Sequence, residues 1–311
     1  MAGKQLNEKL DELEQWFKEN PNLPEEIDRV LLRRFFKCMY FNMEDTKKLI
    51  ELNFSMRNKN PQLFIDRDPE EDAVKAVREA TDMIPLPGLT PEGYKILFYR
   101  LADSDPKKLN SKVECKTAFL LADCRFADLD LEEQPPQTNA KESNEDTKLA
   151  SATEKETLDS LQNDALEDNF ISNGEVQICD ISGYTLSHLT RISYPTLRMY
   201  MNFLQEAYPV RLRAMHIINC PPFLNSMIAI VKPFINDHVY NMIQFHTEGL
   251  DSLYEKVPRD LLPNEYGGKA GRIAELKQKW AEELKTKRDY LMDPKQWKIA
   301  QTQNARRWYW F

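Results

Sequence analysis

The stretch from Tyr208 to Ile235, YPVRLRAMHIINCPPFLNSMIAIVKPFI, decides how the rest of the chain is read. Within it AMHIIN (Ala214 to Asn219) is apolar at nearly every position, the pattern of a strand covered on both faces of a sheet. Pro221 and Pro222 then break the chain, and an apolar helix follows. It carries Phe223, Met227, Ile230 and Phe234 at helical spacing and ends at Lys232-Pro233. Two readings of this helix stand side by side. One is an ordinary core helix; the other is a movable cover over an apolar cavity, flanked by prolines and rich in adaptable methionine. The polar residues and prolines that interrupt Ala214 to Ile235 exclude a transmembrane helix there.

Working outward, strands alternate with helices. KILFYRL (Lys95 to Leu101), EVQICDI (Glu175 to Ile181) and NMIQFH (Asn241 to His246) read as strands, while CKTAFLLADCRF and SYPTLRMYMNFLQEAY read as helices. This predicts an α/β fold with a mixed, mostly parallel sheet covered on both faces. The first 80 residues differ. Leu6, Leu10, Leu13 and Phe17 mark an amphipathic helix that stops at Asn20-Pro21. A second helix is expected near Pro24, with Glu25 and Glu26 in its first turn, and a third after Asn42 as N-cap. The expected domains are therefore a helical one over residues 1–80 and an α/β one over 81–268. A last helix, RIAELKQKWAEELKTKRDYL, and the tail NARRWYWF follow in 269–311. The basic and aromatic residues of that tail suit a membrane interface, but packing back onto the helical domain is the favoured reading.

The chain has 311 residues and a formal net charge of −8, which taken whole argues against nucleic acid and anionic surfaces. The acidity is local. Asp128 to Asp168 holds 13 acidic and 3 basic residues and no aromatic before Phe170; without it the chain has 39 basic against 37 acidic residues. Such a segment buries too little apolar surface to offset its ordering entropy, so 128–168 is expected to be a disordered surface insertion. Five cysteines without a CxxC spacing suggest neither a disulfide framework nor a zinc site. The charged amino terminus lacks an apolar signal region, so the expected location is cytoplasmic. Catalytic motifs are missing: no GxSxG, P-loop, strand-following GxGxxG or HExxH occurs. Asp180 ends a strand, where a loop-capping role is the simpler reading, and His216 within its strand reads as a hydrogen-bonded structural histidine. No enzyme activity, cofactor or metal is expected.

Several ordered motifs then carry a resemblance. Asp180 and Gly183, Tyr208-Pro209, Arg211, Ile218-Asn219, Pro221, Lys232-Pro233-Phe234, and Leu262-Pro263 through Tyr266-Gly267-Gly268 follow one another as in the CRAL-TRIO lipid-binding family. Upstream, LLRRFFKCMYFN and MRNKNPQLF resemble the family's helical amino-terminal domain. The resemblance covers about residues 5–270 and is nearest to the tocopherol and retinaldehyde-binding branch. It implies a helical domain packed on an α/β domain with an apolar pocket, closed by the helix after Asn219 acting as a gate. It also implies a monomer that meets membranes transiently and carries a lipid between them. Phosphatidylinositol-carrying members share three charged headgroup residues; at the matching places this chain has Tyr40, Val210 and Met242. A neutral tocopherol, retinoid, carotenoid or related lipid is therefore expected.

For the pocket the candidates are Tyr200, Leu204 and Tyr208, Met215 and Ile217 from the strand, and Phe223, Met227, Ile230, Val231 and Phe234 from the gate. The tyrosines and His216 are candidates for the polar contacts that orient a hydroxyl or carbonyl. For phosphoinositides on a target membrane the candidates are Lys48, Arg211, Arg213 and His238, against a plain solvated face. The alternatives are a lipid-responsive adaptor that uses the acidic insertion or the tail, and a phosphatidylinositol or phosphatidylcholine transfer protein.

Overall fold

Apolar residues three and four apart build the amino-terminal helices. In the computed structural model, which describes residues 3–65, 67–130 and 171–300, α1 (Gly3–Glu19) buries Leu6, Leu10, Leu13 and Phe17. α2 (Arg29–Cys38) begins at Asp28, whose carboxylate accepts from the Val30 and Leu31 amides. This corrects the expected start near Pro24. Asp28 is a capping side chain and Pro24 is not, and Leu23 and Ile27 are buried in the link that precedes it. α3 (Met43–Lys59) is capped by Asn42, and α4 (Asp72–Ala80) completes the layer.

Five strands form one sheet in the order β1 (Thr81–Pro85), β2 (Tyr94–Leu101), β3 (Gly174–Asp180), β4 (Leu212–Ile218), β5 (Ile243–His246). β2 to β5 are parallel, and β1 pairs antiparallel with β2. The architecture is the mixed, mostly parallel α/β sheet that the alternating pattern predicts. β1, TDMIP, gives little signal in the sequence: it is short, and its proline is tolerated because the strand lies at an edge. The crossovers run through α5 (Ser111–Phe126), α6 (Tyr194–Glu206) and α7 (Leu224–Val231). The expected last helix divides into α8 (Ile273–Thr286) and α9 (Arg288–Met292) at Lys287, whose ammonium pairs with Asp128. Helices shorter than five residues are left unnumbered.

Both faces of the sheet are covered, but they differ in packing. On one face Ile96 and Phe98 of β2, Val176 and Ile178 of β3 and Ile218 of β4 are fully buried. They pack with Leu253, Val257, Leu262, Tyr266 and Ile273 from the carboxyl-terminal part of the chain. Asp180 ends β3 here, accepting from the Ser182 amide, the Asn219 side chain (2.9 Å) and the Tyr266 hydroxyl. It caps the loop, as the sequence suggests. His216 also lies on this face, hydrogen-bonded through Nδ1 to His246 Nε2 (2.9 Å), and His246 Nδ1 meets Ser252 Oγ (2.7 Å). That corrects its candidacy for the pocket, because alternation along β4 turns it away from Met215 and Ile217.

A second packed cluster joins the amino-terminal helices to α5 and α6 through Phe64, Phe119, Phe126 and Phe203. Inside it Asp123 of α5 pairs with Arg57 (2.7 Å) and Arg67, and Trp297 lies flat against both guanidinium groups. Burial alone would raise the Asp123 carboxyl, but the two arginines hold it below its ordinary value. The carboxyl-terminal end of the described chain therefore packs on the helical layer; the tail NARRWYWF lies outside the described residues, as does most of the acidic segment.

The two ends of that segment are gripped together. Asp130 accepts from Arg34 (2.6 Å), Arg125 (3.2 Å) and the Ser172 amide (2.8 Å), while Lys95 Nζ donates to the Asp130 carbonyl (3.0 Å) and Lys37 Nζ to the Ile171 carbonyl (2.7 Å).

Candidate functional site

The second face of the sheet is built differently. Strand register aligns Leu97, Gln177, Met215 and Ile243 in one transverse row, and Tyr99, Cys179, Ile217 and Phe245 in the next. All eight are half-buried, and none belongs to any of the packed clusters among the described residues. Packed interiors leave few voids larger than a water molecule. Two rows of mainly apolar side chains in the middle of the sheet are therefore left outside the packed interior of the described residues.

Groups on and opposite this face are nevertheless shielded from water. Burial pushes the Cys179 thiol up to about 12, and it raises the Tyr99 hydroxyl well above its ordinary value. Facing them, Cys115 of α5 is likewise raised to about 12, and Tyr200 of α6 well above its normal range. These groups keep accessible surface and are nevertheless desolvated. Tyr200 lies near enough to Cys115 and Cys179 to feel both, so this face of the sheet looks toward α5 and α6.

One end of this face is polar. Beyond the Leu97 row, Arg125 reaches across from α5 to Glu175 (2.6 Å), and Gln177 donates to the other Glu175 oxygen (2.7 Å). Lys95 and Glu175 are both fully buried in this network. At the other end the chain leaves β4 through Asn219, a non-glycine residue in the left-handed region (φ +54°), and enters α7. No residue of α7 is fully buried, although the helix is almost wholly apolar. Two hydrogen bonds tie the segment just beyond it to α6: Gln205 Nε2 donates to the Phe234 carbonyl (2.9 Å), and Gln205 Oε1 accepts from the Asn236 amide (2.8 Å). Phe234 also lies near the Arg198 guanidinium (5.8 Å) and the Tyr194 ring (6.2 Å).

The ten pocket candidates therefore fall into three groups. Met215 and Ile217 stand in the two rows. Phe223, Met227, Ile230, Val231 and Phe234 are half-buried on and beside α7 and belong to no packed cluster. Tyr200, Leu204 and Tyr208 are also half-buried but lean on the helical cluster, Tyr200 against Phe119 (5.2 Å) and Tyr208 against Phe126 (5.2 Å). The row-mates Leu97, Tyr99, Gln177, Cys179, Ile243 and Phe245 escape a reading by sequence. The period-2 parity of each strand marks which of its residues share a face, but the register between strands joined by long crossovers is not written locally.

The basic candidates divide. Arg211 stacks on the Tyr40 ring (4.0 Å) and donates to the Lys37 carbonyl (3.2 Å); Arg213 lies over Tyr94 (5.3 Å) and donates to the Asn173 carbonyl (3.2 Å). Tyr40 is 71% exposed, and it and Phe41 both hold positive φ angles (+53° and +61°). Lys48 is exposed on α3 beside Asp45 (3.3 Å), and His238 is exposed on the short turn that follows α7. Arg211 and Arg213 form a pair at the start of β4; no contact among the described residues ties Lys48 or His238 to them.

A family model described as the CRAL/TRIO domain matches residues 79–268, more than half of the chain. The chain belongs to the CRAL/TRIO family. These are lipid-binding transfer proteins rather than enzymes, and the family binds and transfers lipophilic ligands. Residues 3–74 match a second model, described as Pinta-like, UBA domain. Among curated CRAL/TRIO relatives, the alpha-tocopherol transfer protein-like protein of Homo sapiens is 25% identical over 256 residues, 82% of this chain and 63% of that protein. Clavesin-1 of Xenopus laevis is 25% identical over 243 residues, 78% of this chain and 61% of the relative. The chain thus spans less than two thirds of the length of either. A solved structure titled Sfh5 aligns over 94% of this chain and 98% of its own, with a TM-score of 0.44 and 13% identity. Among the described residues no helix is long and apolar enough to cross a membrane.

Proposed function

We propose that this chain holds one small neutral lipophile, of the tocopherol, retinoid or carotenoid kind, between the second sheet face and the α5–α6 layer, and carries it between membranes. One observation supports the reading above the rest: eight half-buried side chains form two rows across the sheet outside every packed cluster of the described residues, and two of them, Tyr99 and Cys179, are desolvated. A ligand tail supplies the contacts that the chain itself does not. Each CH₂ that leaves water for that space contributes about 0.8 kcal/mol.

α7 acts as the gate. It is apolar, unburied and fastened mainly at its far end, so it opens as a unit without breaking a core. The carrier moves through the cytoplasm as a monomer and meets the membrane only while exchanging its cargo, with Arg211 and Arg213 on the docking side. The membrane dwell is short, because Lys48 and His238 do not extend that basic pair. The test is transfer of retinol, followed by its own fluorescence, from donor to acceptor phosphatidylcholine vesicles. Acceleration proportional to protein concentration is expected, and a Met227→Asp variant with an unchanged circular dichroism spectrum is expected to lose it. Equal transfer by that variant would remove α7 from the mechanism, and no transfer by the wild type would remove the function.

A further inference from the structure

The apolar rows are broken by one polar group that nothing in the sheet uses. Tyr99 of β2 points its hydroxyl to that of Tyr184, 2.7 Å away in the loop after β3, and lies 3.5 Å from Glu114 Oε1 in the first turn of α5. Three elements thus converge on one point at the carboxyl end of the rows, opposite to the Arg125–Glu175 network. Gln177, the other polar row member, is already committed to Glu175. The Glu114 contact is not committed in that sense: 3.5 Å is the outer limit of a hydrogen bond. Only one of its oxygens is engaged among the described residues. No cation stands beside it there; Tyr99 is the one neighbour that steadies its charge.

We propose that Glu114, Tyr99 and Tyr184 form the polar end of the lipid site, and that they select a ligand whose polar group is an uncharged hydroxyl or carbonyl oxygen over one that ends in a carboxylate. The inference rests on the function proposed above and names its specificity. Two phenols and a carboxyl supply both donors and acceptors within reach of a single oxygen, the match for an alcohol or carbonyl. An anion brought to the same place would shed its water and find no positive partner. Burial raises the Glu114 carboxyl and both tyrosine hydroxyls above their ordinary values, the mark of a place that disfavours negative charge, a ligand carboxylate included.

The test uses two fluorescent polyenes that differ only in their ends, cis-parinaryl alcohol and cis-parinaric acid, with diphenylhexatriene as a probe that has no polar group. The wild-type chain at pH 8 is expected to bind the alcohol at least about tenfold more tightly than the acid. Tyr99→Phe and Glu114→Leu should each weaken the alcohol about five- to tenfold and leave diphenylhexatriene unchanged, while Glu114→Gln should keep the alcohol within about twofold of wild type. Acid bound as tightly as alcohol, or variants that lose both probes in parallel or neither, would overturn the selectivity while the lipid site stands. A wild-type chain that binds none of the three probes would overturn the lipid site itself.

Discussion

His216 and His246 are the clearest case of two side chains whose state is set by their surroundings. They share a hydrogen bond of 2.9 Å on the packed face, where burial and then the neighbouring charges of His246 and Lys256 push His216 down to about 4; burial and Lys256 also lower His246. Ser252 completes the chain of contacts. A folded-state pKa below the unfolded value of 6.5 means that the unfolded chain takes up protons which the folded one refuses. The associated stability is complete above pH 6.5 and is lost as the pH falls from there toward 4. At about 1.4 kcal/mol per unit, His216 accounts for up to about 2 kcal/mol between pH 6.5 and pH 5. Urea midpoints at pH 7.5 and 5.0 should therefore fall further for wild type than for His216→Gln. Equal falls would show that the pair is not what titrates.

At the scale of elements, Gln205 is the fastening that matters. It joins α6 to the segment just beyond α7 through two hydrogen bonds, beside the looser contacts of the Phe234 ring with Arg198 and Tyr194. With each net bond contributing about 1 kcal/mol, Gln205→Leu should make opening about ten- to thirtyfold more frequent while barely moving the melting temperature. Retinol release into vesicles should speed up accordingly; an unchanged release rate would place the hinge elsewhere. The elements also show what can be read locally. Strands such as AMHIIN and EVQICDI declare themselves, and so does Asn42 at a helix start, because their signals lie within a few residues. β1 does not, because TDMIP becomes a strand only by pairing with β2. The same limit applies at the site. Met215 and Ile217 can be nominated from an apolar strand beside a proline-flanked helix. Leu97, Phe245 and the Glu114–Tyr99 pair acquire meaning only once the register across long crossovers is known, and a glutamate in a helical first turn otherwise passes for a dipole partner.

For the whole molecule, the contrast is between charge and packing. The net charge of −8 gathers in one segment, yet its two ends meet in a buried knot of Arg34, Arg125, Lys37 and Lys95 around Asp130. Replacing residues 131–170 by a short flexible linker should therefore leave the melting temperature nearly unchanged, since the ends already stand together. Asp130→Ala should cost about 3–5 kcal/mol, because buried Arg34 loses its carboxylate while Arg125 keeps only Glu175. A large loss on the first change, or none on the second, would contradict this view of the junction.

The same contrast frames the central claim: one sheet face is a finished core and the other is completed by a guest. Native mass spectrometry of the purified full chain, followed by an organic extract of the same sample, measures this most directly. The account predicts one neutral lipophile per chain, retained in the gas phase and recovered intact on extraction. A chain with no bound lipophile after exposure to tocopherol or retinol, or one that carries only stoichiometric phospholipid, would contradict it.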